Sequence, residues 1–209
     1  DVLIAWGIPD LTMLAEFRGR VVFVGHGHCE WSVNCVRSCL PYATHWAAVS
    51  RAATASFPDP SRVTVVHNGI DTERCAPVRT REETRGAWGV RPDEIAIGYV
   101  GRMSAEKNPL AAVLAVHALG RPYRAVLVGD GVGRDFFHTQ ARRLVPDVVC
   151  QSPVENVGDV YRALDYFVLA SHFEGFSLAL AEAWYCGCPT VATPVGATEL
   201  AERHGSLCV

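Results

Sequence analysis

Ser171-His-Phe-Glu174-Gly175-Phe-Ser177-Leu178-Ala-Leu-Ala-Glu182-Ala-Trp-Tyr185-Cys-Gly187-Cys-Pro189 follows directly on Tyr166-Phe-Val-Leu-Ala170. The short apolar run reads as a buried strand. It breaks at Ser171, Glu174-Gly175 makes a turn, and Ser177 stands as N-cap to the apolar segment Leu178 to Tyr185. Gly187 and Pro189 stop that helix. A strand end, a glycine turn and a helix N-terminus thus meet at one sheet edge. Free backbone N–H groups and the positive end of the helix dipole make such an edge a site for an anion.

Two carboxylates bracket it, Glu174 before the helix and Glu182 within it. A carboxylate beside an anion site is electrostatically unfavourable. As an acceptor it suits the hydroxyl groups of a sugar or ribose, which donate. An anion site with hydroxyl-binding carboxylates points to a nucleotide sugar. Taken alone, Glu182 reads equally as a helix glutamate without a role; the segments upstream carry the difference.

Upstream, residues 95 to 209 alternate strand and helix. The expected strands are Ile95 to Val100, Tyr123 to Val128, Val148 to Cys150, Tyr166 to Ala170 and Thr190 to Ala192. The expected helices are Pro109 to Leu119, Gly133 to Leu144, Val157 to Leu164, Leu178 to Tyr185 and Thr198 to His204. Apolar strands in this alternation predict a doubly wound parallel sheet, with ligands at the carboxyl ends of its strands. Two further strand ends carry polar or glycine-rich loops. Gly101-Arg102 leads to Lys107-Asn108-Pro109; Arg102 can fork onto two phosphate oxygens and Lys107 offers a point charge. Gly129-Asp130-Gly131-Val132-Gly133 departs from a dinucleotide fingerprint by one residue and reads as a tight turn.

The first 71 residues predict strands at Val2 to Trp6, Val21 to Val24, His45 to Val49 and Val63 to Val66, with helices at Leu11 to Phe17, Asn34 to Leu40 and Arg51 to Ala55. Residues 72–94 read as a linker and a charged lead-in helix to the domain 95–209. The chain opens at Asp1 directly on a strand and closes at Gly205 to Val209 in a strand-like run, so it reads as cut from something longer.

The 209 residues carry a net charge of -3, which gives no basic excess for nucleic acid. No apolar run approaches the ~20 residues of a membrane span. Eight cysteines without a Cys-x-x-Cys pair predict reduced thiols and a cytoplasmic protein, with peripheral membrane association left open. His26, His28, Cys29, Cys35 and Cys39 are close in sequence but match no standard zinc spacing, so no metal site is expected.

The ordered set Val66-His-Asn68-Gly69-Ile-Asp71, Gly101-Arg102 with Lys107-Asn108-Pro109, Gly129-Asp130-Gly131, Glu174-Gly175-Phe176, Glu182-Ala183 and Cys186-Gly187-Cys188-Pro189 resembles the retaining GT-B glycosyltransferases of family 4, over roughly residues 20 to 209. The resemblance implies two Rossmann-like domains, the N-terminal one incomplete here, with the donor held mainly by the C-terminal one. It implies Arg102 and Lys107 on the diphosphate, Glu174 against the donor sugar, Glu182 on the ribose, and amides from Gly175 through Phe176 and Ser177 to Leu178 on sugar and phosphate oxygens. Gly101 and Gly129 line the same edge. His26 falls where the family often has a histidine near the transferring sugar; a core or capping histidine is the other reading. No cofactor is implied beyond the nucleoside-diphosphate sugar as substrate. The acceptor, whether glycan, lipid or small molecule, is not identified. A GT-B sugar-nucleotide epimerase and a non-catalytic nucleotide-sugar-binding remnant are the alternatives.

Overall fold

The structure is a computed structural model. It describes every residue except 8, 28, 205, 206 and 209, and no side chains at 202–204, 207 and 208. The chain divides into two compact units. One comprises Asp1–Gly69 with Phe173–Ser177 and Val195–Glu199; the other comprises Ile70–His172, Leu178–Pro194 and the residues from Leu200 onward.

The first unit runs β1 (Val2–Trp6), α1 (Leu11–Glu16), β2 (Arg20–Gly25), α2 (Glu30–Cys39), β3 (His45–Ala48), 3-10 turns at Ala52–Ser56 and Pro60–Arg62, then β4 (Val63–Val65). The four strands are parallel in the order β1-β2-β3-β4, with β1 and β4 at the edges. Asp10 caps α1 by accepting the Thr12 N–H at 2.8 Å. Phe23, Val36, Cys39 and Phe57 are buried, with Phe57 tilted onto Phe23 at 6.3 Å. Helix α2 begins four residues before the expected Asn34, because Cys29 already turns the chain into the helix. The segment expected as a helix from Arg51 is a 3-10 turn from Ala52.

The second unit holds α3 (Thr72–Cys75), α4 (Arg81–Trp88), β5 (Ile95–Val100), a 3-10 turn (Ala105–Lys107), α5 (Leu110–Leu119), β6 (Tyr123–Val128), α6 (Arg134–Leu144), β7 (Val149–Gln151), α7 (Val157–Ala163), β8 (Tyr166–Leu169), α8 (Leu178–Tyr185), β9 (Thr190–Ala192) and β10 (Leu207–Cys208). Its sheet is parallel in the order β10-β9-β8-β5-β6-β7. That is the doubly wound order in which the connection reverses between the first strand, β5, and the fourth, β8. Helices α5 and α6 pair over β5 and β6, burying Ile97, Tyr99, Val113, Leu127 and Phe137. Helix α7 packs with α3, α4 and α8, and Tyr161 meets Phe167 edge-on at 5.5 Å. Residues 72–75, which show no periodicity in sequence, form a single helical turn because the Asp71 carboxylate accepts the Glu73 and Arg74 N–H groups. Thr80 and Glu83 close a capping box on α4, and Gly89 ends it in the left-handed region. The segment Thr198–His204 is 3-10 rather than α.

The amino ends of β5 and β8 are tied by ionic groups. Asp165, just before β8, accepts the Ala96 N–H at 2.7 Å and hydrogen bonds from Arg81 and Arg85. Arg85 is buried and also donates to the carbonyls of Ala163 and Glu94. Burial works against ionisation of Asp165, but the Ala96 N–H and the two guanidiniums override it and hold its carboxyl below the usual value. Among the described residues, no helix is long and apolar enough to cross a membrane.

Arg85→Ala should cost about 3 kcal/mol of unfolding free energy, because it leaves a partly buried carboxylate and the carbonyls of Ala163, Arg91 and Glu94 short of a partner. Urea denaturation of the variant measures this; a loss under about 1 kcal/mol would show that Arg81 and water satisfy the cluster unaided.

Candidate functional site

In the second unit the switch between β5 and β8 sets two loops side by side at the carboxyl edge. The loop after β5 runs from Gly101 to Pro109, and the chain leaving β8 passes Ser171 and His172. They are joined directly: the His172 N–H donates to the Glu106 carbonyl at 2.8 Å. The loop after β6 is laced to the first of them by Met103 N–H to Asp130 O at 2.7 Å and Gly133 N–H to Met103 O at 3.1 Å. A side chain on Gly129 would overlap the Gly101 carbonyl oxygen, and Gly129 has φ 147°, so this position is closed to other residues. The Gly129 to Gly133 segment is the tight turn its sequence suggests.

Arg102 is exposed and paired with Glu106 at 2.9 Å, while its carbonyl accepts the Tyr99 hydroxyl at 2.7 Å. An exposed ion pair is worth about 0.2–1 kcal/mol, so breaking this one would cost the guanidinium little. Lys107 ends the 3-10 turn that Asn108 closes with φ 47°. These are not the only cations at the edge: Arg134 opens α6 straight after the glycine turn, 3.7 Å from Asp130. The sequence hid it because it falls inside a helix pattern rather than a loop.

Glu182 lies on α8, half-buried, where it accepts the hydroxyl of fully buried Tyr161 at 3.2 Å. Burial raises its pKa; the Tyr161 hydrogen bond and Arg74 pull it back only in part, and Asp71 adds to the rise. Tyr161 is pushed well above the phenol range by its burial and by Glu182. Tyr161 was not singled out in the sequence, since nothing in its position on α7 shows that it faces α8. One turn on, the Cys186 thiol donates to the Cys75 carbonyl at 3.7 Å, and burial followed by Cys75 pushes its pKa up to about 12. A thiol so far from ionisation is a packing group, not a nucleophile.

In the first unit the turn Phe173–Ser177 is set against the carboxyl ends of β2 and β3. Gly175 touches the His26 carbonyl so closely that a side chain there would overlap it. Gly27 meets the Phe173 ring in the same way, and the Ser56 hydroxyl donates to the Gly27 carbonyl. Glu174 is buried at 8% exposure, and Phe176 is buried with the His67 ring 5.8 Å away. Segment Val195–Glu199 backs the turn, with Ala197 N–H on the Phe176 carbonyl at 2.9 Å. Ser177 enters α8 with φ 75° rather than the extended backbone of a serine N-cap, a conformation that costs of order 1–3 kcal/mol in a non-glycine residue. The expected N-cap is therefore a strained left-handed junction, and Leu178 follows it as the first helical residue. His26 is open to solvent, yet the protein around it lowers its pKa by desolvation, which favours the neutral ring.

Among the described residues no three His, Cys, Asp or Glu side chains gather as a metal site; His28 lies outside the described residues. The described cysteines are free thiols.

Two parallel-sheet α/β units with glycine-lined strand ends are the GT-B class of fold. The chain covers all of its length and 64% of the solved Anabaena Alr3699/HepE structure in complex with UDP, at TM-score 0.83 and 22% identity. It matches the solved WaaG, a glycosyltransferase involved in lipopolysaccharide biosynthesis, at TM-score 0.75 and 18% identity, over 95% of this chain and 66% of that one. The chain belongs to the family of glycosyl transferases group 1, which matches residues 94–209. It is 36% identical over 162 residues to a D-inositol 3-phosphate glycosyltransferase of Rhodococcus erythropolis, covering 70% of this chain and 36% of that protein. It is 30% identical over 197 residues to the lipopolysaccharide core biosynthesis mannosyltransferase LpsB of Rhizobium meliloti, covering 88% of this chain and 54% of that protein. The chain thus spans between a third and about half of the length of these curated relatives.

The electrostatics of Glu182 have a measurable consequence. A carboxyl with a raised folded pKa contributes stability that is present below its unfolded pKa and lost as the pH rises through the folded value. At neutral pH its buried charge is therefore a cost. Glu182→Gln keeps an acceptor for Tyr161 and removes the charge, so its melting temperature should exceed wild type at about pH 7 and converge with it near about pH 4. A difference that does not change with pH would show that packing, not charge, sets it.

Proposed function

We propose that this protein is a retaining glycosyltransferase of family 4 that moves a sugar from a nucleoside-diphosphate sugar to an acceptor. The observation that carries the reading is the joined pair of loops at the switch point of the second sheet, with Arg102 and Lys107 on one and Ser171 and His172 on the other. Ligands of doubly wound sheets bind at that point. Membership of the glycosyl transferases group 1, and the UDP and UDP-glucose complexes of the structurally similar Anabaena protein, favour a nucleotide sugar over other anions.

In this reading Arg102 and Lys107 hold the diphosphate, within an edge lined by Gly101 and Gly129. Glu182 accepts from the ribose hydroxyls. Amides of Gly175, Phe176, Ser177 and Leu178 meet sugar and phosphate oxygens, and Glu174 faces the transferring sugar. His26, favoured as the neutral ring, accepts a proton or a hydroxyl hydrogen bond on the acceptor side. The departing diphosphate is stabilised by the basic pair and a helix start rather than by a divalent ion, since the chain contains no Asp-x-Asp. Retention then rests on front-face attack within a positioned complex, where orientation supplies much of the rate.

Three measurements test this. Lys107→Ala should weaken nucleoside-diphosphate binding by about 1.5–3 kcal/mol, the worth of a charge-assisted hydrogen bond; unchanged affinity in calorimetry would remove Lys107 from the site. Glu174→Ala should depress kcat more than nucleotide affinity, and Glu182→Ala should do the reverse, because only contacts near the breaking bond strengthen in the transition state. Activity of the full-length protein should survive a chelator; loss restored by Mg²⁺ or Mn²⁺ would refute the role given to the basic pair.

A further inference from the structure

We propose that Ser50 is a positioning residue for the Glu174 turn, acting through the carbonyl of Gly175. Ser50 follows β3 and is fully buried. Its hydroxyl donates to the Gly175 carbonyl at 2.6 Å and accepts the Ala53 N–H at 3.1 Å. A serine hydroxyl has one proton to give. With a lone pair taken by Ala53, the rotor is locked and that proton is committed to Gly175. The carbonyl it holds begins the peptide that follows Glu174-Gly175, so it sets the plane from which the turn departs.

The turn has few other places to go. Gly175 is pressed against the His26 carbonyl, and Gly196 lies where a Cβ would come 2.9 Å from the Glu174 Cβ. Ala197 N–H holds the next carbonyl, that of Phe176. Ser177 then adopts its left-handed backbone. Such strain persists only where the surroundings over-determine it. Ser50 supplies a side-chain tie in that set, and it reaches the turn from 125 residues away in sequence. No sequence motif marks it, because a serine after a strand reads as the cap of the following turn.

The inference rests on the reading that Glu174 faces the donor sugar, and the test separates the two. In the full-length protein, Ser50→Ala should lower kcat about tenfold or more and leave the Kd for a nucleoside diphosphate within about twofold of wild type. Amide exchange across residues 173–177 should quicken by about tenfold. Ser50→Thr, which keeps the hydroxyl, should restore slow exchange and most of kcat. Ser50→Cys, of similar volume and weaker as a donor, serves if the alanine variant does not fold. A purely structural serine would lower the melting temperature without splitting kcat from Kd. Wild-type kcat in Ser50→Ala, or exchange no faster than wild type, overturns the inference. A wild-type protein that binds no nucleoside diphosphate sinks the glycosyltransferase reading instead, and the exchange rates still decide whether Ser50 holds the turn.

Discussion

At Gly129 and again at Gly175 a neighbouring carbonyl oxygen occupies the space in which a side chain would begin. In the second unit this contact brings the ends of β5 and β6 together backbone to backbone. In the first it brings the Glu174 turn against the end of β2. At both positions close approach of main chain to main chain excludes any side chain, so the backbone itself forms the surface there. Within each unit the loop that carries the glycine takes its position from this constraint.

Strands β5 and β8 show how the second unit divides its tasks. Their carboxyl ends part at the switch point and carry the candidate ligand-binding loops. Their amino ends are pinned by Asp165, which accepts from Ala96, Arg81 and Arg85. The partly buried carboxylate at the pinned end is held ionised by the Ala96 N–H and two guanidiniums. The half-buried carboxylate at the open end, Glu182, has only a tyrosine hydroxyl and a more distant arginine to offset its desolvation. This ionic tie thus lies at the amino ends of the strands, and the candidate site keeps a carboxylate whose charge a ligand could satisfy better than the free protein does.

The turn Phe173–Ser177 groups by its contacts with the first unit, although the residues on either side of it belong to the second. Ser50, Gly27, His26 and the segment Val195–Glu199 together fix its backbone. A carboxylate on a turn held from several directions loses little further freedom on meeting a ligand, which is the condition for precise orientation.

Much of this was present in the chain read as a string. Apolar runs of strand length separated by amphipathic segments dictated a parallel α/β fold, and the order of loops offered Gly101, Arg102, Lys107 and Glu174, with Glu182 in the helix that follows, as candidates, because a glycine, a cation or a carboxylate in such a loop carries its chemistry locally. Helix α8 is legible to the residue, since Gly187 and Pro189 are local stops. What stayed hidden depends on distant contact. Ser177 reads as a cap, but its backbone is left-handed, after a turn gripped by residues that follow β2 and β3 and by 195–199. Tyr161, Ser50 and Arg134 gain their places from packing across α7 and α8, from a hydrogen bond spanning 125 residues, and from the fold of the glycine turn. Sequence periodicity reports which face of an element is buried; it does not report what that face will touch, and only the tertiary structure decides that.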